Sequence, residues 1–328
     1  MSNVRMIPAL NGTLIDFQAC TVDICSLEYA QLDYVPSKSV NLAYLLIFGL
    51  LLLVHCVQGV YYRTWGYAVG MVGGLTLEVV GYAGRLGLHN DIFSFDTFVM
   101  YLVCLTIAPA FLSASIYLCL SRIVVVCGEG IARFRPRTYT ITFVCCDLIS
   151  LILQSAGGAI ASIADDKKTG DIGVDVMIAG LAFQVISLLL YMGVALDFFL
   201  RFRKASFTQL NANFSDVRNH RLFTYMAFGL ATATLFIFIR CVYRVAELSG
   251  GFNSELANDE VAFNVLEGPM IMIACLALTA LHPGLCFRGA WRDANWTWRA
   301  QKGTGSGEAD VAYEKGSVVR SSVELMGR

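Results

Sequence analysis

The chain has 328 residues, of which 56% are hydrophobic and 15% charged, with a mean hydropathy of +0.62 and a formal net charge of −1. That balance excludes a large soluble enzyme and places most of the chain in lipid. It carries no basic tract for nucleic acid, and the segments between its apolar runs leave no room for a folded soluble domain.

Residues 1–38 hold Asp16, Asp23, Glu28 and Asp33 without the apolar stretch of a signal peptide, so the first span is expected to act as the targeting signal. This segment also contains Cys20 and Cys25, which an oxidising exterior would allow to form a local disulfide, and the glycosylation sequon at Asn11. Most of the remaining cysteines fall in apolar runs, where cysteine packs as a small hydrophobe.

Crossing about 30 Å of hydrocarbon takes about 20 helical residues. Seven segments qualify: 39–62, 66–88, 95–127, 139–163, 173–200, 222–249 and 261–287. Backbone groups in lipid must bond internally, and no alternating ten-residue strands suggest a barrel, so all seven are expected as helices. The loops after spans one, three and five and the tail carry sixteen Lys and Arg residues, against four in the N-terminal segment and the opposite loops. The asymmetry puts the N-terminus outside and the C-terminus in the cytosol. Trp65, Trp291, Trp296 and Trp298 then fall at the inner interface, and residues 288–328 form an interfacial and disordered cytosolic tail. Under this topology a glycan on Asn213 or Asn295 would invert the assignment, because only Asn11 lies outside.

Charged residues interrupt three of the apolar runs. Span two carries Glu78 and, seven residues on, Arg85; span six carries Arg240, Arg244 and Glu247 at i, i+4 and i+7; span seven carries Glu260 at its mouth and Glu267 below. Six of these charges, Glu260 apart, fall in the outer half of the membrane, where each costs at least about 2.5–3.5 kcal/mol if it faces lipid. They must face one another or water. Either they line an outward-open polar cavity between spans two, six and seven, or they form a closed salt-bridge lattice that locks helices together. Arg85 and Glu247, near span ends, have the further option of snorkelling.

Asp147 and Gln154, seven apart on one face of span four, read as an inner polar site or as helix-packing groups, and Gln184 sits at mid-depth in span five. Asp197 and Arg201 form an ordinary i, i+4 pair. Gly66, Gly70, Gly74, Gly81 and Gly84 give span two a small face for close helix approach. Pro109 and Pro269 lie inside spans three and seven as bends or hinges.

Other chemistry is absent. There is no phosphate-binding GxxxxGK[ST] loop, no lysine in any span for a retinal Schiff base, and no Ser/His/Asp set for a hydrolase. His55 and His282 read as core residues, so no metal, cofactor or enzymatic activity is expected. Receptor signatures are missing too: no acidic residue precedes Arg122, and span seven ends in LHPG.

Taken in order, YVPSKSVNLAYLLIFGLLLLVHCVQG, LEVVGYAGRL, IAPAFLSASIYLCLSRIV, DLISLILQSAGGAI, MIAGLAFQVISL, FIRCVYRVAEL and LHPG resemble the fungal lipid-translocating exporter family, the RTA-like proteins associated with aminocholesterol resistance and sphingoid-base export. The resemblance spans roughly residues 34 to 287. It implies seven helices, usually in the plasma membrane, and export or transbilayer movement of amphipathic lipids. Glu78, Tyr82 and Arg85 match its E-x-x-G-Y-x-x-R pattern, Arg240, Arg244 and Glu247 its R-x-x-x-R-x-x-E, and Asp147, Gln154, Gly157 and Gly158 its fourth-span motif. The family pattern opens span seven with His-Glu followed by Asp, where this chain has Asp259-Glu260 and Glu267, which points to a different substrate preference. The expectation is a transporter whose partners are membrane lipids, with Glu78, Glu247 and Glu267 holding a cationic head group and Arg85, Arg240 and Arg244 tuning them or taking a phosphate. The alternative is a seven-helix lipid sensor that regulates membrane asymmetry through other proteins.

Overall fold

The structure is a computed structural model that describes residues 6–10, 12–16, 20–27, 30, 32, 34–163, 166–206, 209–250 and 259–294. Asn11, Trp296 and Trp298 lie outside the described residues, as does the tail from residue 295 onward. A short antiparallel pair, β1 (Met6–Pro8) and β2 (Leu14–Asp16), precedes the helices, and Cys20 and Cys25 are joined in a disulfide.

The helices follow as α1 (Lys38–Tyr62), α2 (Trp65–Asn90), α3 (Phe95–Cys127), α4 (Pro136–Ile163), α5 (Lys167–Lys204), α6 (Ser215–Arg218), α7 (Arg221–Ser249), α8 (Glu260–Leu266), α9 (Gly268–Ala280) and α10 (Pro283–Cys286). Successive long helices pack as neighbours, α1 on α2, α2 on α3, α3 on α4, α4 on α5, α5 on α7 and α7 on α9. Helix α9 also packs on α1, which closes the ring, while α3 touches α7 across it.

Among the described residues, six segments are long and apolar enough to cross a membrane: α1, α3, α4, α5, α7 and the run Glu260–Cys286 that contains α8, α9 and α10. The chain is therefore an integral membrane protein of all-α class. Helix α2 has comparable length, 26 residues, but carries glycines, Glu78 and Arg85 in place of continuous hydrocarbon. Its position explains this. It lies between α1 and α3, and most of its middle is buried in protein. By contrast, α1 presents Leu42, Leu46, Leu50, Leu53, Val57 and Val60 outward at three- and four-residue spacing, an apolar stripe of the kind that faces acyl chains.

The small face of α2 is used against α3. A Cβ on Gly70 would overlap Ser115 Oγ and stand 2.9 Å from the Phe111 carbonyl, and one on Gly81 would stand 2.5 Å from a Leu105 methyl. The α4–α5 hairpin repeats the device: a Cβ on Gly157 would stand 2.5 Å from the Met177 nitrogen, and one on Gly173 would press into the Ala161 backbone. Without a hydrophobic force between helices in lipid, such close backbone approach supplies the packing energy.

One expectation for this part of the chain needs correction. The seventh run does not form one helix over 261–287; it breaks at Glu267 and again after Ala280. Trp291 packs inside the fold. It is buried against Tyr67 and Phe287, with the Arg122 guanidinium 3.8 Å above its ring and bonded to its carbonyl. Aromatic burial plus a cation–π contact holds it there.

Gly70→Ala is expected to destabilise the α2–α3 contact by about 1–3 kcal/mol, the usual cost of overpacking. Gly49→Ala, where nothing lies within 4 Å of the new methyl, is expected to leave the melting temperature of the detergent-solubilised protein unchanged. Equal melting temperatures for the two variants would contradict the packing described.

Candidate functional site

The centre of the bundle is organised by an interior proline. Pro109 has no N–H, so the Leu105 carbonyl one turn earlier in α3 loses its helical donor. Arg240 of α7 fills the gap by donating Nη2 to the Leu105 oxygen. The same nitrogen forms an ion pair with Glu267 Oε1. Glu267 sits at the break itself, ending α8 and preceding α9, with Pro269 in the first turn of α9. One arginine thus ties a proline-freed carbonyl of α3 to the carboxylate at the discontinuity of the seventh run.

One turn along α7, Arg244 donates to Glu247 Oε2 at 2.5 Å and to Thr106 Oγ1 of α3 at 3.3 Å. From α2, the Glu78 carboxylate interacts electrostatically with Arg240 and Glu267. It has no salt bridge among the described residues, and its Oε1 is buried without a hydrogen-bond partner. Tyr82, next on the same face, interacts with Glu78, Glu267 and Arg85, and its hydroxyl is likewise buried and unpartnered.

Arg85 stands nearer the end of the bundle that carries the N-terminal segment. Its Nε donates to Asn41 Oδ1 and its Nη2 to the Tyr34 hydroxyl, both at 3.0 Å, and its guanidinium lies 3.7 Å from the Phe263 ring centre. Nη1 is buried without a partner. The α8 segment is pinned over this region by Ser37 N–H donating to Glu260 Oε1 at 2.6 Å and by Tyr44 hydroxyl donating to the Asn264 carbonyl at 2.8 Å. Asp259, at the position where the family pattern has His, caps α8 by accepting from the N–H groups of Val261 and Ala262.

Glu78, Arg240, Arg244, Glu247 and Glu267 are brought within electrostatic reach of one another, whereas Arg85 is held apart from them by Asn41 and Tyr34. The six charged groups do not line an open, wet cavity: none of Glu78, Arg85, Arg240, Arg244, Glu247 and Glu267 is more than 7% exposed. This conformation is a closed network in which protein groups fill the space between helices. Arg85 and Glu247 do not snorkel; the first is wholly buried under Phe263 and the second is held by Arg244.

Asp147 and Gln154 do not form one site. Asp147 Oδ2 accepts from the Tyr117 hydroxyl of α3 at 3.0 Å, whereas Gln154 Nε2 donates to Gln184 Oε1 of α5 at 3.1 Å. Seven residues separate them by about 10 Å along the axis, and they serve two different helix contacts. Asp197 pairs with Arg201 and also with Arg133. His55 and His282 meet with ring centres 6.0 Å apart, each with one unpartnered nitrogen. Among the described residues, no group of three or more His, Cys, Asp or Glu is placed to hold a metal ion.

Several residues of the network escape a reading by charge alone. Asn41, Tyr34 and Phe263 fix Arg85, Thr106 supports Arg244, and Leu105 contributes only its backbone. The one available signal was arithmetic: Leu105 lies four residues before Pro109, so a carbonyl in a lipid-buried helix had to find a donor elsewhere.

The sequence model described as "RTA1 like protein" matches residues 71–290. The chain is 32% identical over 282 residues to "Sphingoid long-chain base transporter RSB1" of Saccharomyces cerevisiae, covering 78% of this chain and 74% of the relative. It is 27% identical over 202 residues to "Protoporphyrin uptake protein 1", covering 61% and 63%, and 25% identical over 225 residues to "Protein RTA1", covering 67% and 68%, both of the same yeast. No solved structure matches.

Breaking the central pair from either side should cost unequally. Arg240→Leu leaves two buried carboxylates without their shared cation and is expected to destabilise by about 3–5 kcal/mol. Glu267→Gln leaves Arg240 facing Glu78 and should cost less. Combining Arg240→Leu with Glu267→Leu should recover part of the loss, and a strictly additive double-variant melting curve would contradict the pairing.

Proposed function

The chain belongs to the RTA1-like family, and from that premise we propose that it moves amphipathic lipids with a cationic head group, sphingoid long-chain bases among them, between the leaflets of a fungal plasma membrane. The observation that carries this reading is Glu78. It is a carboxylate deep in the bundle, 1% exposed, for which the described residues supply no salt bridge. Leaving a charge in that state is costly, and an ammonium group is the ligand that relieves it.

In this reading α2 is the seventh span. Its 26 residues extend about 39 Å at 1.5 Å per residue, more than the hydrocarbon core requires. The N-terminus lies outside, where the Cys20–Cys25 disulfide is at home in an oxidising space. The cytosolic side carries the excess of Lys and Arg. The ion network then sits toward the exoplasmic leaflet, within reach of a head group entering from it.

Export requires the closed network to open. In this reading the seventh run bends at Glu267, where α8 gives way to α9, and α8 comes away from its contacts with Ser37 and Tyr44. Such a movement carries Phe263 off Arg85 and draws Glu267 away from Arg240. The charged face of α2 is then uncovered, and the ammonium of an entering lipid takes the place beside Glu78. The acyl tail stays in the bilayer, since only the polar head needs a path. Binding energy from the ammonium–carboxylate contact offsets the separation of Arg240 and Glu267, and closure restores that pair once the head group leaves.

Purified protein in vesicles containing a fluorescent sphingoid base tests this. Wild-type protein is expected to accelerate transfer between leaflets, and Glu78→Gln to reduce the rate at least about tenfold, the loss of one charge-assisted contact, while keeping its melting temperature. A vesicle population in which protein leaves the transfer rate at the protein-free value would instead favour the lipid-sensor reading. Unchanged transfer by a folded Glu78→Gln protein would remove Glu78 from the mechanism.

A further inference from the structure

The charges of the network do not match one to one. Arg240 is taken by Glu267 and Arg244 by Glu247, which leaves Glu78 and Arg85 without an ionic partner among the described residues. These two opposite charges are on one helix, seven residues apart, and so about 10 Å apart along its axis. Between them, at the i+4 position from Glu78, is Tyr82. Glu78 Oε1, the Tyr82 hydroxyl and Arg85 Nη1 form a row of buried polar atoms on one face of α2, each without a hydrogen-bond partner. All three side chains are at most 1% exposed.

Resting on the lipid-transport reading above, we propose that this row is a two-ended site for a zwitterionic lipid head group carrying a primary ammonium and a phosphate monoester on neighbouring carbons. The ammonium binds Glu78, the phosphate binds Arg85, and the Tyr82 hydroxyl donates to an oxygen between them. A free amino-alcohol base fills only the Glu78 end. It satisfies the carboxylate and leaves the guanidinium as unmatched as before. A head group with a phosphate satisfies both ends. Two charge-assisted contacts of about 2.8 Å, joined by a head whose amine and phosphate sit on adjacent carbons, span about 10 Å, the axial rise between residues seven apart on a helix.

Arg85 is built for this role rather than for packing. Its Nε and Nη2 are anchored by Asn41 and Tyr34, neither of which belongs to the α8 segment that carries Phe263. The group is held in one orientation before any ligand arrives, and Nη1 is the donor left over. Preorganisation of this kind lowers the ordering cost of binding. Neutral partners in place of a carboxylate also keep the positive charge available to a phosphate, which a salt bridge would have neutralised. Arg240 and Arg244 lack that availability, since each already holds a glutamate.

Equilibrium binding to the purified full-length protein in detergent decides the matter, with a C18 sphingoid base, its 1-phosphate and inorganic phosphate as probes. The 1-phosphate is expected to bind wild-type protein at least about tenfold more tightly than the free base, and inorganic phosphate at millimolar concentration is expected not to displace it. Arg85→Gln is expected to bring the two lipids to equal affinity while changing that of the free base less than about threefold, a range set by the uncharged character of the lost contact to that ligand. Equal or weaker binding of the 1-phosphate by wild-type protein overturns the two-ended site and leaves the transport reading standing. Displacement by inorganic phosphate assigns the Arg85 end to a free anion and overturns the lipid proposal. Binding of neither lipid overturns both readings. Should Arg85→Gln fail to fold, the ratio of the two lipid affinities on wild-type protein alone decides between these outcomes.

Discussion

The arrangement depends on what Arg240 does with a charge that lipid will not accept. A guanidinium at this depth is costly without partners, and the bundle gives its Nη2 two acceptors at irregularities of its own backbone. Pro109 frees the Leu105 carbonyl in α3, and Glu267 stands where α8 gives way to α9. Each irregularity would be a defect alone, since an unsatisfied carbonyl and a buried glutamate are both expensive in hydrocarbon. Placed opposite one arginine, both accept from its Nη2. The helices that carry them, α3, α7 and the α8–α9 pair, are fixed in register by the same contact.

Helix α2 complements this from the other side. Its glycines bring it against α3 more closely than side chains would allow, and that proximity puts Glu78 beside Arg240 without giving it an ion pair. The helix therefore contributes packing on one face and unsatisfied charge on the other. Both features lower its average hydropathy, so the element with most of the polar chemistry is also the one that reads least like a membrane span.

Much of this is legible in the order of the residues. The apolar runs mark the long helices to within a few residues, because lipid imposes length and periodicity strongly; 95–127 coincides with α3. The depth of each charged residue follows from helical rise, and the coming together of Glu78, Arg240 and Glu267 follows from the cost of leaving them in lipid. The closed state of the network is not legible. Periodicity places Arg85 on the same face as Glu78, but it does not say that Asn41, Tyr34 and Phe263 occupy the guanidinium, since those contacts join segments far apart in sequence. Asp147 and Gln154 share a face by spacing, yet their partners Tyr117 and Gln184 belong to different helices. Nor does spacing show that Pro109 and Arg240 are parts of one device, because the link between them is a backbone carbonyl that no side-chain pattern records.

The central claim is that a cationic lipid head group displaces a closed ion network and binds beside Glu78. A structure of the protein determined with a saturating long-chain amine tests it most directly. The account predicts the amine nitrogen within about 3 Å of the Glu78 carboxylate, with Phe263 withdrawn from Arg85 and the Arg240–Glu267 pair opened. An amine lodged on the lipid-facing surface, with that pair intact and Glu78 untouched, would contradict it.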